Sequence, residues 1–426
     1  MSHLTGLLGL TVFVAIAFLF STARSRVNWR LVASGIALQF ALAFLLLRFP
    51  PVVALFEFLA RAVTKIISFS DAGITFVFGE LGNAGGPWGF VFAVRVLPVI
   101  IFFASIMAIL YHLRVMQAVV ACVAWVLRRT LGVTGAEATS AAANIFVGQT
   151  EAPLTIRPYL PTMTRSQICA VMVGGFATIA GSVLAAFVGI LGGESEEARV
   201  LFAKHLLTAS VMSAPAGLVM AKLLMPETET PRDEALGSLL AQPVETRNVL
   251  DAAVSGASDG LRLALNVGAM LIAFAAIIAM LNWPLSALSE QRHVASWRLD
   301  YGIPVLTLQT ILGTLFTPAA WLMGVPWADC TKFGSLIGQQ VVATEFVAYL
   351  DLGKHIKDNT LDPRSAQIAT YALCGFCNFA SIGIQIGGLS ALAPDRRSDF
   401  AAIALRAMFG GLLACWCTAA VAGVFL

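Results

Sequence analysis

Eight stretches of this 426-residue chain are continuous apolar runs long enough to cross a lipid bilayer: about 4–20, 31–48, 91–113, 167–191, 200–225, 261–284, 366–393 and 400–426. A hydrocarbon layer about 30 Å thick takes about 20 such residues as a helix, because within it every backbone N–H and C=O has to be paired inside the segment. The apolar share of 58% exceeds the roughly 45–50% of soluble domains, and only 12% of residues are charged. The runs are continuous rather than alternating, which excludes an outer-membrane barrel. A disordered chain and a disulfide scaffold are excluded by the same composition. The expectation is an all-α polytopic membrane protein with about eight transmembrane helices.

Two further stretches, about 136–160 and 303–350, are apolar but broken by Gly, Pro, Thr, Gln and Glu. Lipid does not tolerate such residues at an exposed helix surface, so these stretches are expected to be re-entrant hairpins buried in protein. Residues 52–68 set Glu57, Arg61 and Lys65 against an apolar face, which suits an interfacial helix. The opening MSHLTGLLGLTVFVAIAFLF has no cationic lead-in and a run longer than a signal-peptide core, so it reads as a retained first helix. Arg24, Arg26 and Arg30 follow the first run, Arg114, Arg128 and Arg129 the third, and Arg396 and Arg397 the seventh. Glu194, Glu196 and Glu197 follow the fourth. The positive-inside rule then places both termini outside. The organisation that follows is a scaffold of two spans and an interfacial helix over 1–90, a first repeat with one hairpin over 91–225, a cytoplasmic linker with an interfacial helix over 226–260, and a second repeat with the other hairpin over 261–426.

The net charge of +3 is too small in a chain of this length to point to nucleic acid. The seven cysteines lie mostly in apolar runs and read as small buried hydrophobes. Cys374-Gly-Phe-Cys377 has redox or zinc spacing but no second pair or neighbouring histidines.

An internal repeat is visible. Gly175-Phe-Ala-Thr-Ile-Ala-Gly-Ser182 echoes Gly375-Phe-Cys-Asn-Phe-Ala-Ser-Ile382, with Thr178 opposite Asn378. Trp125–Val133 echoes Trp321–Val325, and Thr150-Glu151 echoes Thr344-Glu345. Under the charge-derived topology, 167–191 runs outward and 366–393 runs inward, so the repeat is inverted. Paired interrupted helices in an inverted repeat are a recurring design of secondary transporters, which hold substrate and ion near the midplane.

The polar residues inside these runs are the candidates for chemistry. A carboxylate at the centre of a span costs about 2.5–3.5 kcal/mol even on the lenient insertion scale, so Glu151 and Glu345 require a reason. One is structural: pairing with arginines such as Arg95 or Arg157, or contact with water at a loop. The other is functional, as acceptors facing a polar cavity from two hairpins and suited to a neutral, hydroxyl- and amide-rich solute. Gln149, Thr150 and Glu151 form a row of donors and acceptors able to read the edge of a planar base. Asn378 and Ser381, three apart on one helix face, suit a ribose together with Glu345, although such residues also serve as simple interhelix bonds. Asn144 and Thr178 offer oxygens to a small cation, or equally to ordinary protein contacts. An intramembrane enzyme using Glu151 and Glu345 would need a His-Glu-x-x-His, a Ser/Lys dyad or a metal cluster, and none is present. A channel with a carboxylate ring has no need of an inverted repeat.

Gly148-Gln-Thr-Glu-Ala-Pro-Leu-Thr-Ile-Arg-Pro-Tyr-Leu160, Glu345-Phe-Val-Ala-Tyr349 and Cys374-Gly-Phe-Cys-Asn-Phe-Ala-Ser-Ile-Gly383 carry a resemblance, from about residue 91 to the end, to the concentrative nucleoside transporters. The resemblance implies a homotrimeric symporter of the bacterial inner membrane that takes up nucleosides such as uridine, with eight spans and two opposed hairpins, and no enzymatic activity. Matched by motif, Gln149, Thr150 and Glu151 would face the base, with Val183 and Phe376 packed on it, and Glu345, Asn378 and Ser381 would hold the ribose. The Asn144 and Thr178 side chains, with the carbonyls of Val147 and Ile179, would bind sodium as the coupling ion. No other cofactor is implied. Where the family usually reads Gly-x-Lys-x-x-x-Asn-Glu-Phe-Val-Ala-Tyr, this chain has Gln340 for the Lys and Thr344 for the Asn. A carboxylate with fewer positive neighbours takes up a proton more readily, so proton coupling is the alternative expectation.

Overall fold

The computed structural model describes residues 2–82, 91–193, 195–232, 246–291 and 305–426, and every regular element among them is helical. Glu194, residues 233–245 of the expected linker, 83–90 and the first residues of the second interrupted stretch (303 and 304) lie outside the described residues. The helices are α1 (Ser2–Leu19), α2 (Trp29–Leu47), α3 (Pro50–Phe78), α4 (Phe92–Arg95), α5 (Leu97–His112), α6 (Val115–Leu131), α7 (Gly135–Asn144), α8 (Arg165–Ala177), α9 (Gly181–Gly192) and α10 (Glu196–Leu224). They continue as α11 (Val249–Ser289), α12 (Leu308–Leu322), α13 (Trp327–Val342), α14 (Glu345–Lys357), α15 (Pro363–Ala372), α16 (Phe379–Leu392) and α17 (Arg397–Phe425).

Six helical stretches among the described residues are long and apolar enough to cross a membrane: Trp29–Leu47, Phe92–His112, Arg165–Gly192, Glu196–Leu224, Val249–Ser289 and Pro394–Phe425. Each overlaps one of the apolar runs. The remaining two runs fall on shorter apolar helices, Leu4–Leu19 and Phe379–Leu392. The run at 366–393 is not one helix, because the chain leaves helical geometry between Ala372 and Phe379. Hydropathy is blind to that break, since its residues are as apolar as the helices on either side. The run at 167–191 is broken in the same way between α8 and α9, at Thr178–Ala180.

The interrupted stretches also take definite shapes. After α7 the chain makes two 3-10 turns, Ala152–Ile156 and Leu160–Thr162. Pro153, Pro158 and Pro161 lack the N–H an α-helix would need there. In the second stretch α12 and α13 meet at 117°, and the chain turns again at Ala343–Thr344 into α14, whose first residue is Glu345. The helix that contains 52–68 is longer than that stretch: α3 starts at Pro50-Pro51 and buries one stripe, Ala60, Thr64, Ile67, Ser70 and Ile74. Its Glu57 pairs with Lys204 of α10 at 3.1 Å.

The two halves run through the same order of elements. α6, α7, turns, α8, a break, α9 and α10 correspond to α12, α13, α14, α15, a break, α16 and α17. Gly132 at the end of α6 and Gly324 just after α12 both have left-handed backbone, with φ of 69° and 88°. A side chain there would be strained, which is why glycine recurs at this point of the repeat.

Each half also places an acid at the third residue of a helix, α7 in the first and α13 in the second. Glu137 of α7 accepts from the Thr134 backbone N–H at 3.0 Å and its hydroxyl at 2.9 Å, and pairs with Lys222 in the last turn of α10. Lys222 also donates to Ser166 of α8 at 2.9 Å, and Gln167 donates to Thr134 at 3.0 Å. In the other half, Asp329 of α13 accepts from Ser365 at 2.7 Å and the Asp362 N–H at 3.1 Å, while Arg364 donates to the carbonyls of Gly324 and Gly423. These contacts fasten α7 to α8 and α10, and α13 to α15.

Removing one partner of a buried ion pair leaves a charge with nothing to balance it, which costs about 3–5 kcal/mol. Lys222→Met is therefore expected to lower the thermal midpoint in detergent by many degrees, and the double variant Lys222→Met/Glu137→Leu to recover most of the loss. Equal midpoints for the single variant and the parent would show that the pair does not hold α7.

Candidate functional site

The break between α15 and α16 builds the first part of the site. Asn378 is the N-cap of α16, and its Oδ1 accepts the Ser381 N–H at 2.8 Å. Its Nδ2 donates to Glu345 Oε2 at 2.6 Å. Glu345 is itself buried at the first turn of α14, where the partial positive charge of a helix N-terminus favours a carboxylate. Asn378 and Ser381 therefore sit three apart at the start of one helix, α16, rather than in the middle of an unbroken span. One caps the helix and the other receives the cap, so the carboxylate, the amide and the serine form one unit. Gln340 of α13 is fully buried and donates from Nε2 to the carbonyls of Leu373 and Gly375, at 3.1 and 2.8 Å. These are carbonyls in the break, so the neutral amide closes it. Phe376 is half-buried within the same break.

The second part comes from the first half of the chain. Gln149 is buried, and its Cβ lies 2.9 Å from where a Cβ on Gly175 of α8 would stand. Gln385 Nε2 lies 2.4 Å from that same point. Glycine at 175 is what lets hairpin tip, α8 and α16 meet. Thr150 approaches α16 at Gly388, where an added Cβ would be 3.2 Å from its Cγ2. Residues 378, 381, 385 and 388 follow a 3-4-3 spacing along one side of α16. Gln149 and Thr150 thus meet the same helix whose start carries Asn378 and Ser381. Val183, in the first turn of α9, is buried.

Glu151 faces elsewhere. It lines a cavity of about 540 Å³ between α5 and α11 on one side and the first hairpin tip with the start of α9 on the other. Tyr111, Arg157, Ser182 and Asp259 share its walls, and Glu345 is not among the lining residues. His112 Nδ1 lies 2.7 Å from Thr246 Oγ1 beside this cavity. Arg95, considered above as a partner for a buried glutamate, is instead bonded to the Gly82 carbonyl at 2.6 Å and paired with Asp71 at 3.4 Å. The wall formed by α5 and α11 is itself tightly joined: a Cβ on Gly260 would come within 2.8 Å of Ile101 Cα, and Ser105 donates to the Ala253 carbonyl at 2.9 Å.

The third part is the group of neutral oxygens where the first hairpin crosses the α8–α9 break. Asn144, the last residue of α7, is fully buried; its Nδ2 donates to the Ser140 carbonyl at 3.0 Å and its Oδ1 has no protein partner. Its Nδ2 lies 3.3 Å from where a Cβ on Gly174 would be, and Thr178 Oγ1 donates to the Gly174 carbonyl at 2.9 Å. The Gly181 N–H donates to the Phe146 carbonyl at 2.9 Å, which holds the chain after α7 against the start of α9, and a Cβ on Gly148 would lie 3.2 Å from Ala180 Cβ. An unpartnered buried amide oxygen, a hydroxyl and backbone carbonyls at a helix break are hard, neutral donors of the type a small alkali cation takes.

Among the cysteines, Cys377 Sγ donates to the Phe176 carbonyl at 3.1 Å and Cys415 Sγ to the Cys374 carbonyl at 3.2 Å. They serve as small donors bridging α8, α17 and the break. Reading the sequence missed Gln385, Tyr111 and Asp259. The 378, 381, 385, 388 spacing is a signal in the sequence that could have found Gln385.

Polar groups gathered at two helix breaks and at the turns after α7, inside an otherwise apolar helical protein, fit a membrane carrier. Comparison with known proteins is more specific. The model described as "Na+ dependent nucleoside transporter C-terminus" matches residues 205–423, its N-terminal counterpart matches 8–81, and a "Nucleoside recognition" gate model matches 93–194. An uncharacterized transporter of Haemophilus influenzae is 43% identical, over 100% of this chain and 98% of its own length. The human sodium/nucleoside cotransporter 1 is 38% identical over 99% of this chain, which spans 64% of that longer protein. Among solved structures, CNTnw in an inward-facing substrate-bound state shares 43% identity with a TM-score of 0.89, covering 100% of this chain and 98% of that one. An outward-facing variant of CNTnw gives 0.90 at 43% identity, covering 100% and 98%. This chain belongs to the concentrative nucleoside transporter family, whose members are multi-pass membrane transporters rather than enzymes.

Proposed function

We propose that this protein carries nucleosides such as uridine into the cell together with sodium, as a homotrimer in a bacterial inner membrane with both termini periplasmic. The observation that carries the sodium reading is Asn144 Oδ1, buried without a protein partner on a side chain that packs at Gly174, whose carbonyl, just before the α8–α9 break, accepts from Thr178. Asn144, Thr178 and the carbonyls of Val147 and Ile179 are the ion's ligands in this reading. The ribose hydroxyls donate to Glu345, which is held in place by Asn378 and Ser381. The base lies towards Gln149 and Thr150, with Val183 and Phe376 packing on its face, and Glu151 closes the site on the side of the cavity. Sodium bound at the hairpin tip orders residues 145–150, so the base contacts form only when the ion is present; this is how binding of one couples to binding of the other.

Arg114 lies two residues after α5, and the charge rule sets that end inside, so the cavity lined by Tyr111 and His112 is the route to the cytoplasm. Alternating access then moves the polar unit, with its two hairpins, past the tightly joined α5 and α11 to a second position open to the other side. A proton-coupled carrier is the second reading. It is favoured by one contact: Glu345 is bonded to the neutral Asn378 amide while neutral Gln340 occupies the break.

The deciding measurement is uridine uptake into proteoliposomes with sodium and proton gradients imposed separately. Accumulation driven by sodium alone, at equal pH on both sides, is the expected result. Accumulation driven only by the proton gradient replaces sodium with a proton in this account.

A further inference from the structure

We infer that Gln385 is a second base-reading amide, acting beside Gln149, and that the two together set which nucleobases the carrier accepts. The inference rests on the nucleoside reading above and names a contact on the base side of the site. Gln385 lies seven residues beyond Asn378 and four beyond Ser381 on the same side of α16. It therefore stands between the Glu345 end of the site and the point where Gln149 and Thr150 of the first hairpin meet that helix. It is buried at 1% exposure. Its Nε2 donates to the Met172 carbonyl inside α8 at 3.0 Å, which fixes the amide plane and leaves Oε1 without a partner. Gln149, at 6% exposure, likewise has an unpaired Oε1. The Gln385 amide and the Cβ of Gln149 meet at Gly175, the position where the absence of a side chain makes room for both residues.

Two buried side-chain carbonyl oxygens with unused lone pairs, on residues that meet at Gly175 from opposite halves of the chain, are complete only when a ligand supplies donors. Hydroxyls of a ribose are already matched by the carboxylate unit at the other end of α16. The donors left to a nucleoside are the N–H groups on the edge of its base: the ring N3–H of uracil or thymine, or the exocyclic amino group of cytosine or adenine. An acceptor pair discriminates by donor position, and an analogue lacking the donor leaves the buried acceptors unsatisfied.

The test compares uridine with 3-methyluridine, whose N3–H is replaced by a methyl group, in binding to the purified protein and in competition for uptake. The parent protein is expected to prefer uridine about tenfold or more. Gln385→Met, similar in volume and without a polar group, is expected to shrink that preference several-fold, and Gln385→Glu, which keeps an acceptor in place, to retain it. A preference that is unchanged in Gln385→Met, with both ligands weakened equally, assigns Gln385 to packing alone and overturns the inference. If Gln385→Met does not fold, Gln385→Ala, which also removes the acceptor, carries the same comparison, and an unchanged preference there overturns the inference equally. Failure of the parent to bind any nucleoside, by contrast, removes the nucleoside reading itself.

Discussion

Glu345→Gln is expected to reduce nucleoside uptake by between tenfold and a hundredfold while the protein still inserts and assembles. In the structure this carboxylate is buried, sits at the first turn of α14 and accepts from Asn378 Nδ2 at 2.6 Å. A hydrogen bond to a charged group contributes about 1.5–3 kcal/mol where a neutral one contributes about 0.5–1.5, so each hydroxyl that donates to Glu345 loses about 1–2 kcal/mol when an amide replaces it. At about 1.4 kcal/mol per tenfold, one or two such bonds give the stated range. The amide also carries an NH₂ group, which faces Asn378 Nδ2 donor to donor unless the side chain turns. The check is uptake normalised to protein in the membrane, with size-exclusion profiles compared. Normal uptake by the variant removes Glu345 from the substrate site and leaves Asn378 as a helix cap only.

The second large effect concerns the ion. Asn144→Leu is expected to abolish the dependence of uridine affinity on sodium at fixed pH, leaving Glu345 and its partners untouched. The substitution removes Oδ1, the unpartnered buried acceptor, and replaces it with an apolar side chain of similar size, so α7 loses one bond to the Ser140 carbonyl and little packing. In the parent, uridine affinity should rise with sodium if, as proposed, the ion orders the turn that carries Gln149 and Thr150. Inward movement of one positive charge with a neutral nucleoside then gains about 2.3 kcal/mol per 100 mV of membrane potential. Binding measured across sodium concentrations, parent against variant, decides the matter. A variant whose uridine affinity still climbs with sodium places the ion away from Asn144.

The helical membrane class was legible because lipid leaves few alternatives: an apolar run of about 20 residues pairs its backbone only as a helix, so composition along the chain is sufficient. The repeat was legible at Gly132 and Gly324, because a left-handed helix end selects glycine locally, and the short motifs around Gln149–Glu151 and Glu345 were specific enough to point to the family. What could not be read off was how the runs are broken and which polar groups meet. The stretch from Leu373 to Asn378 looks like the middle of a span, since its residues are apolar or small. It opens because Gln340 of another helix takes its carbonyls and Asn378 turns to cap α16 and to reach Glu345. In the same way Gln385 meets Gln149, and Lys222 meets Glu137, across long separations in sequence. Hydropathy is a sum over neighbours along the chain, whereas a buried polar atom is satisfied by whichever group the packing of distant helices brings within about 3 Å. The spans followed from the solvent, and the site from that packing.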